Sequence, residues 1–279
     1  MKNFLCNLLI FLFTFFPLCC DAWNPLGHMV VADIAYDRLT PAAKKKVDEL
    51  ISYFHKEYPD ANAFVDIAPW ADAIRSQKIE TFTHWHYSDN SFSTDGTPIK
   101  NLKDSDNAVW ALTNIESVMK NKEANNFERA RFLAFLTHIV ADLHQPLHTV
   151  SRISHAHPDG DRGGNDYFVY YKNKRANMHH IWDIGVSLFD TNPSQEKALQ
   201  LEKEITARYP ESYFGKEKIN NTNYAAWADD GAELAKKYVY SAVEEEELDA
   251  NYINNGSEIS KQQIALAGYR LAAMLNKWL

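Results

Sequence analysis

Apolar residues recur at helical spacing along most of the chain. In one example, Val30, Ile34 and Leu39 form a stripe after Gly27-His28. Thr40-Pro41 is typical of an N-cap followed by proline in the first helical turn, and Pro146 should end the helix before it. Beyond the first stripe, the pattern predicts helices to about Phe54 and over Asp104–Met119, Phe127–Leu143, Ser194–Arg208, Tyr224–Glu246 and Ser260–Trp278.

The stretch from Ser151 to Asn177 has a different pattern. It is rich in His, Pro, Gly and Asp, and it then runs through Tyr167–Tyr171 to Lys172-Asn173-Lys174, which predicts a loop and a small β-hairpin. Four consecutive acids, Glu244–Glu247, are interpreted as a solvated helix face. No repeat or long linker interrupts the chain. The predicted fold is therefore all-α: one mainly helical domain over 23–279 with a small hairpin.

The first 22 residues have the pattern of a secretory signal. Lys2 precedes a short apolar run, Leu8–Phe16, and the small residues Cys20 and Ala22 lie at positions −3 and −1 before Trp23. We expect cleavage after Ala22 and a secreted or periplasmic protein; an uncleaved anchor is the alternative. The remaining 257 residues contain no cysteine, which excludes thiolate metal sites and cysteine nucleophiles.

The composition is that of an ordinary globular protein, with 46% hydrophobic and 24% charged residues. The net charge of −8 argues against a basic nucleic-acid clamp. An acidic protein can still bind phosphate if metal ions supply positive charge. The 11 histidines are therefore of interest as candidate metal ligands.

Two His-x-x-x-Asp pairs stand out. His138 and Asp142 share a face of the apolar helix, and His179 and Asp183 repeat the spacing near a predicted helix start. One such pair is more often a core salt bridge. Two pairs together with His148, Trp70-Ala71-Asp72 and His84-Trp85-His86 favour metal binding instead. Imidazole and carboxylate ligands suit zinc, with manganese or iron possible.

Cleavage after Ala22 would also expose the amino group of Trp23, five residues before His28, and an amino group with its neighbouring carbonyl can chelate a metal. Two further motifs are Gly163-Gly164-Asn165 and Pro146-Leu147-His148. On all of these motifs together, residues 23–279 resemble the secreted zinc-dependent single-strand nucleases and 3′-nucleotidases. The zinc phospholipases C are more distant relatives of that family.

The resemblance implies three zinc ions. The side chains of Asp72, His86, His138 and Asp142 would hold the first. The second would bind the amino group and carbonyl of Trp23, His28 and the bridging Asp142. The third would bind His148, His179 and Asp183. His84 is the one remaining histidine for which we expect a role in orienting a ligand, if residues 81–87 form a strand that places it on the same face as His86.

The resemblance also implies an activity. The enzyme would be a monomeric endonuclease that cleaves single-stranded DNA and RNA to 5′-phosphate products, acts on 3′-nucleotides and has no stable membrane association. Asp142, Arg75 and Asn165 would be catalytic, with Arg75 contacting phosphate and Asn165 positioning it. Tyr87 would stack on the base and Asp89 would hydrogen-bond its edge.

Two other functions stay open from the sequence. A zinc phospholipase C is the nearer one, but the spacing from Trp23 to His28 and the aspartate at 183 follow the nuclease pattern. A secreted zinc-binding protein without catalysis would need the metal ligands, but it would leave Arg75, Asn165, Tyr87 and Asp89 unexplained.

Overall fold

The computed structural model describes residues 23–279, so the expected signal segment and its cleavage site at Ala22 lie outside the described residues. Within them, the chain is mainly helical with two small sheets of two strands each. The α-helices are α1 (Pro25–Asp37), α2 (Pro41–Phe54), α3 (Trp70–Ser76), α4 (Ala108–Lys120), α5 (Asn126–Asp142), α6 (Met178–Asp183), α7 (Gln195–Arg208), α8 (Glu211–Phe214), α9 (Lys216–Asn220), α10 (Tyr224–Lys237) and α11 (Ala250–Trp278). Short 3₁₀ helices cover Phe64–Ile67, Glu80–His86, Pro146–Thr149 and Val239–Ser241.

Helix α5 lies at the centre, because every side chain from Leu133 to Asp142 is buried. It packs against α2 and α4, while α1 packs against α11 and α7. The approach of α1 to α11 requires a glycine: a Cβ at Gly268 would lie 2.4 Å from Ile34 Cγ2. No helix in residues 23–279 is long and apolar enough to cross a membrane.

Both sheets contribute to a second cluster of buried apolar side chains, which includes Phe92, Val150 and Val169. Strands β1 (Asn90–Ser93) and β2 (Val150–Ile153) pair in parallel, with Asn90 opposite Val150. Strands β3 (Phe168–Tyr171) and β4 (Lys174–Asn177) form the predicted hairpin, with Tyr171 opposite Lys174. The parallel pair was not predicted, since it joins segments 60 residues apart that carry no strong alternation.

The structure corrects several predicted boundaries. Helix α4 begins at Ala108, because Asn107 caps it, so residues 104–107 form a loop. Helix α11 begins at Ala250, capped by Asp249, ten residues earlier than predicted. Residues 81–86 lie in a 3₁₀ helix rather than a strand.

The prediction for Tyr224–Glu246 is wrong at its C-terminal end. Helix α10 stops at Lys237, and the acids that we interpreted as a helix face lie in an irregular segment. That segment runs beside β3, where the backbone amide of Glu245 donates to the carbonyl oxygen of Phe168 at 2.8 Å. Pairing with an open strand edge here replaces helical hydrogen bonds.

Candidate metal centre and active-site cavity

Five of the predicted ligand side chains form one buried cluster. His28 comes from the first turn of α1, Asp72 from α3, His86 from the end of a 3₁₀ helix, and His138 and Asp142 from one face of α5. His86 Nδ1 lies 3.1 Å from Asp142 Oδ2 and 3.1 Å from His138 Nε2. We call these five side chains the first cluster.

The remaining three predicted side chains form a second cluster. His148 follows Pro146, and His179 and Asp183 lie one turn apart on α6. The Nε2 atoms of His148 and His179 are 3.0 Å apart, and His179 Nε2 is 3.6 Å from Asp183 Oδ1. All three side chains are buried.

Backbone carbonyls fix the orientation of three of the histidines. His138 Nδ1 lies 2.8 Å from the oxygen of Ala68, His148 Nδ1 lies 2.6 Å from that of His86, and His179 Nδ1 lies 2.7 Å from that of Gly163. Each Nδ1–H therefore donates to a carbonyl, and each Nε2 faces its cluster. This is the arrangement by which proteins set the tautomer of a metal-binding histidine.

The glycine loop supports the second cluster. Gly163 has φ +60°, and a Cβ there would lie 2.3 Å from the carbonyl oxygen of Leu147, so only glycine fits. The same residue supplies the carbonyl that orients His179. Gly163 thus brings the loop against His179, and Asn165, two residues later, lines the same cavity as His179.

Gln145 holds the carboxylate of Asp183. Its Nε2 donates to Asp183 Oδ1 at 2.7 Å, while its Oε1 accepts from the amide of Leu147 at 2.6 Å. Gln145 is fully buried. Gln145 was not predicted from the sequence, where its position between the two His-x-x-x-Asp pairs, directly before Pro146, was the available signal.

The first cluster contains polar atoms with no hydrogen-bond partner. Both ring nitrogens of His28, Asp72 Oδ1 and Asp142 Oδ1 are buried and unsatisfied. Burying polar atoms without a hydrogen-bond partner costs free energy, and a bound metal ion would serve as the missing partner. In each of three groups, the ligand atoms lie within 4.8 Å of one another: His28, His138 and Asp142; Asp72, His86 and His138; His148, His179 and Asp183. The first two groups share His138. Imidazole nitrogens and carboxylate oxygens are donors that fit zinc.

The pKa values of the cluster residues follow from burial and mutual charge. Burial holds the pKa of His28 and of His148 well below the ordinary value and lowers that of His179 to about 4. These rings are therefore neutral, as metal binding requires. Burial opposes charge on His138, but Asp142 and Asp72 outweigh it and raise its pKa to about 9. Without metal, a proton on His138 thus offsets the carboxylates.

The N-terminal residue of the described chain adjoins both clusters. Trp23 is fully buried, and its indole Nε1 donates to the carbonyl oxygen of Ala141 at 3.0 Å, directly before Asp142. The amide of Asn24 donates to the carbonyl oxygen of Asp183 at 2.9 Å. These two bonds hold residues 23 and 24 next to the backbone of Ala141 and Asp183, and coordination by the amino group and carbonyl of Trp23 stays a prediction.

Both clusters open onto one cavity of about 240 Å³. Its walls include His86 of the first cluster and His148 and His179 of the second. Four further predicted site residues line the same cavity: Arg75, Tyr87, Asp89 and Asn165. The cavity also contains Arg162, which the sequence analysis did not single out and which pairs with Asp166 at 2.9 Å.

The cavity carries charge of both signs. The arginines lie near the histidine clusters, and the positive charge of Arg75 adds to burial in lowering the pKa of His179. Burial raises the pKa of Asp89 to about 7, and the charges of Asp104 and Asp161 act in the same direction. The cationic groups near the clusters can bind an anionic group of a substrate, and the carboxyl of Asp89 can hydrogen-bond to a neutral polar group of it.

The remaining histidines lie away from both clusters. His84 does not orient a ligand, which corrects the conditional expectation from a strand at 81–87; its Nδ1 lies 2.9 Å from Asp106 Oδ1. The 3₁₀ geometry explains this, because positions two apart in it do not share a face. His144 is buried against Arg270, 2.8 Å away, and belongs to the core. His55, His155 and His180 are exposed and His157 is half-buried.

A buried histidine–carboxylate donor set beside a cavity that contains two arginines is typical of a hydrolytic metal centre, and comparison with known proteins gives the family. The S1/P1 nuclease family profile matches residues 23–279. The chain is 26% identical to endonuclease 2 of Arabidopsis thaliana, covering 91% of this chain and 90% of that protein. It is also 26% identical to nuclease S1 of Aspergillus oryzae, with 91% of each covered, and 25% identical to nuclease P1 of Penicillium citrinum, covering 91% and 97%.

The chain therefore belongs to the S1/P1 nuclease family. It is a nuclease, an enzyme that hydrolyses phosphodiester bonds of nucleic acids.

Proposed function

We propose that this protein is a secreted, zinc-dependent endonuclease that cleaves single-stranded DNA and RNA to 5′-phosphate products and removes the 3′-phosphate of nucleotides. The observation that carries the proposal is the meeting of two histidine–carboxylate clusters, two arginines and a half-exposed tyrosine at one cavity. The relatives are nucleases by name, and the residues of the cavity support the metal dependence and the substrate preference proposed here.

Zinc would be held in three places. Asp72, His86 and His138, with Asp142, would hold one ion, and His28, Asp142 and the terminal amino group and carbonyl of Trp23 a second. His148, His179 and Asp183 would hold the third. Bound zinc would supply Lewis acidity, which makes water a nucleophile near neutral pH and offsets the charge of the phosphate.

The chain's own residues would bind and orient the substrate. Arg75 and Asn165 line the cavity beside His179, so a phosphate placed there would receive a charge-assisted hydrogen bond from the guanidinium and a second bond from the amide. Such donors stabilise charge that develops on phosphate oxygens in the transition state.

The preference for single strands would come from Tyr87. Its ring lines the cavity next to His86 and is half-exposed, so an unpaired base could stack on it. Stacking on an aromatic ring is worth roughly 1–3 kcal/mol per base and tolerates any sequence. A base inside a duplex would first have to unstack. Asp89, on the same wall, would accept a hydrogen bond from an amino or imino group of that base.

Secretion would precede activity. Cleavage after Ala22 would free the amino group of Trp23, a residue whose indole is bonded to the backbone of Ala141, directly before Asp142. The family match begins at residue 23, which agrees with a mature chain that starts there. We propose a monomer.

The function is tested with the mature protein and three substrates: a single-stranded oligonucleotide, a 3′-nucleotide and a phosphatidylcholine vesicle. We expect cleavage of the first two, 5′-phosphate ends on the oligonucleotide products and no release of phosphocholine. Tyr87→Ala should weaken oligonucleotide cleavage mainly through KM, with zinc content unchanged. Hydrolysis of the vesicle without cleavage of nucleic acid would replace the proposal with a phospholipase, and zinc binding without any hydrolysis would replace it with a zinc-binding protein.

A further inference from the structure

A loop outside both clusters holds the Tyr87 side chain. The phenol of Tyr87 donates to Asp104 Oδ2 at 3.0 Å, and the amide of Ala108 donates to the carbonyl oxygen of Tyr87 at 2.9 Å. The side chain of Tyr87 is thereby tied to the loop before α4, and its backbone to the first residue of α4. Neither Asp104 nor Ala108 lies in a metal cluster.

The loop that presents Asp104 is itself fixed. Asn107 Nδ2 donates to the carbonyl oxygen of Asp104 at 2.7 Å, and Asn107 Oδ1 caps α4 by accepting from the amide of Val109 at 2.9 Å. Asp104 thus extends from a capped helix start, and its side chain is about one-third exposed. Because the start of α4 fixes the position of Asp104, the carboxylate of Asp104 can fix the position of the Tyr87 phenol.

We propose that Asp104 is a positioning residue for substrate binding: it holds the Tyr87 ring in the orientation on which an unpaired base stacks. The inference rests on the function proposed above. A half-exposed tyrosine without this bond would rotate about its side-chain torsions, and base binding would have to restrict that motion. The bond to Asp104 restricts it before substrate arrives, so the expected benefit is in affinity rather than in turnover.

Asp104 could also act through its charge, because it is close enough to Asp89 to help raise the pKa of that carboxyl. Two substitutions separate the two effects. Asp104→Asn keeps an oxygen that accepts from the Tyr87 phenol but removes the charge. Asp104→Ala removes both. If positioning is the role, asparagine should preserve oligonucleotide binding and alanine should weaken it.

A double-mutant cycle with Tyr87→Phe tests the link directly. The phenylalanine variant keeps the stacking ring and deletes the hydroxyl that Asp104 binds. We expect Asp104→Ala to raise KM for a single-stranded oligonucleotide about three- to tenfold, the size of effect of one net hydrogen bond, with kcat within about twofold. In the Tyr87→Phe background the same substitution should change KM by less than about twofold.

Asp106→Asn is the matched control, because it removes a carboxylate from the same loop that contacts His84 and not Tyr87. It should leave KM unchanged. Circular dichroism and zinc content should match the parent in every variant. Equal effects of Asp104→Ala in the parent and in Tyr87→Phe would overturn the proposal, and so would an equal loss in Asp104→Asn and Asp104→Ala.

A spectroscopic readout separates failure of this inference from failure of the proposed function. In protein labelled with ¹³C at tyrosine Cζ, the Tyr87 resonance is identified by its loss in Tyr87→Phe. It should shift in Asp104→Ala and stay in place in Asp106→Asn. No shift means that the bond is absent and the inference fails whatever the enzyme cleaves. A shift in a protein without nuclease activity would show that the bond exists while the proposed function, and the role that rests on it, are wrong.

Discussion

The indole of Trp23 donates to the carbonyl oxygen of Ala141 across 118 residues of sequence, and this bond places the start of the described chain beside Asp142. The Trp23 side chain is fully buried, so packing as well as the hydrogen bond holds it in place. A residue held this way can offer its amino group to a metal only if nothing precedes it.

We therefore expect that a chain beginning at Trp23 is fully active and that a chain beginning Met-Ala-Trp23 has little activity. The extension turns the amine into an amide nitrogen, a far poorer metal ligand. The extended form should lose one zinc and most of its activity. The two forms, confirmed by mass spectrometry, are compared in zinc content and in cleavage of single-stranded DNA. Equal zinc and equal rates would rule out a role for the terminal amino group.

A second prediction concerns Gln145, whose amide orients Asp183 from a fully buried position. Gln145→Ala should lower zinc affinity at the second cluster about 10- to 100-fold, which is typical of losing a partner that orients a ligand. Competition with a zinc-binding dye measures the affinity. The control is Gln195→Ala, which removes an exposed glutamine that donates to Asp66 at 2.7 Å. Affinity that is unchanged in Gln145→Ala would show that Asp183 needs no such support.

Helix α5 and the two His-x-x-x-Asp pairs could be predicted because helical periodicity is local. Their spacing alone places His138 and Asp142 on one face, and the structure has them there. The parallel pairing of β1 with β2 could not be predicted, because it depends on the tertiary fold that brings these two distant segments together. The same holds for the carbonyls of Ala68, His86 and Gly163 that orient the histidines, since backbone acceptors leave no mark in a sequence.

The errors also have physical causes. The segment after Lys237 ends in Glu244–Glu247, residues of good helix propensity, but the edge of β3 offers hydrogen bonds to that segment, and tertiary pairing overrides helix propensity. The expectation for His84 assumed a strand, and the 3₁₀ helix directs it to Asp106 instead. Asp104, which holds Tyr87 from outside the clusters, carries no pattern that distinguishes it from other polar residues, whereas Gln145 had only its place before Pro146 as a signal.

A third prediction concerns Arg75, which lines the cavity near His179. Arg75→Ala should lower kcat about 100-fold, as expected for a donor that stabilises transition-state charge. Zinc content should stay the same, because Arg75 is not a ligand. Arg131→Ala, which removes an arginine paired with Glu128 on another surface, serves as control. A rise in KM with unchanged kcat would mean that Arg75 only binds the ground state.

The fourth prediction follows from the pKa of Asp89, which burial raises to about 7. The folded protein therefore holds the proton more tightly than the unfolded chain does. The stability from this group is present below the unfolded value near 3.8 and is lost as pH rises through 7. In chelated protein, Asp89→Asn should match the parent near pH 4 and exceed its free energy of unfolding by about 2 kcal/mol at pH 8.

Urea unfolding at both pH values measures the difference. Asp159→Asn, at an exposed carboxylate that pairs with Lys100, controls for the change in net charge. A stability difference between Asp89→Asn and the parent that is the same at pH 4 and pH 8 would contradict a raised pKa for Asp89.

Zinc reconstitution tests the central claim most directly. Mature protein is stripped of metal with a chelator, checked by elemental analysis and titrated with zinc while cleavage of single-stranded DNA is followed. The account predicts no activity without metal, a return of activity that is complete near three equivalents of zinc, and a rise in thermal stability over the same range. Cleavage at the full rate by protein shown to be free of metal would contradict it.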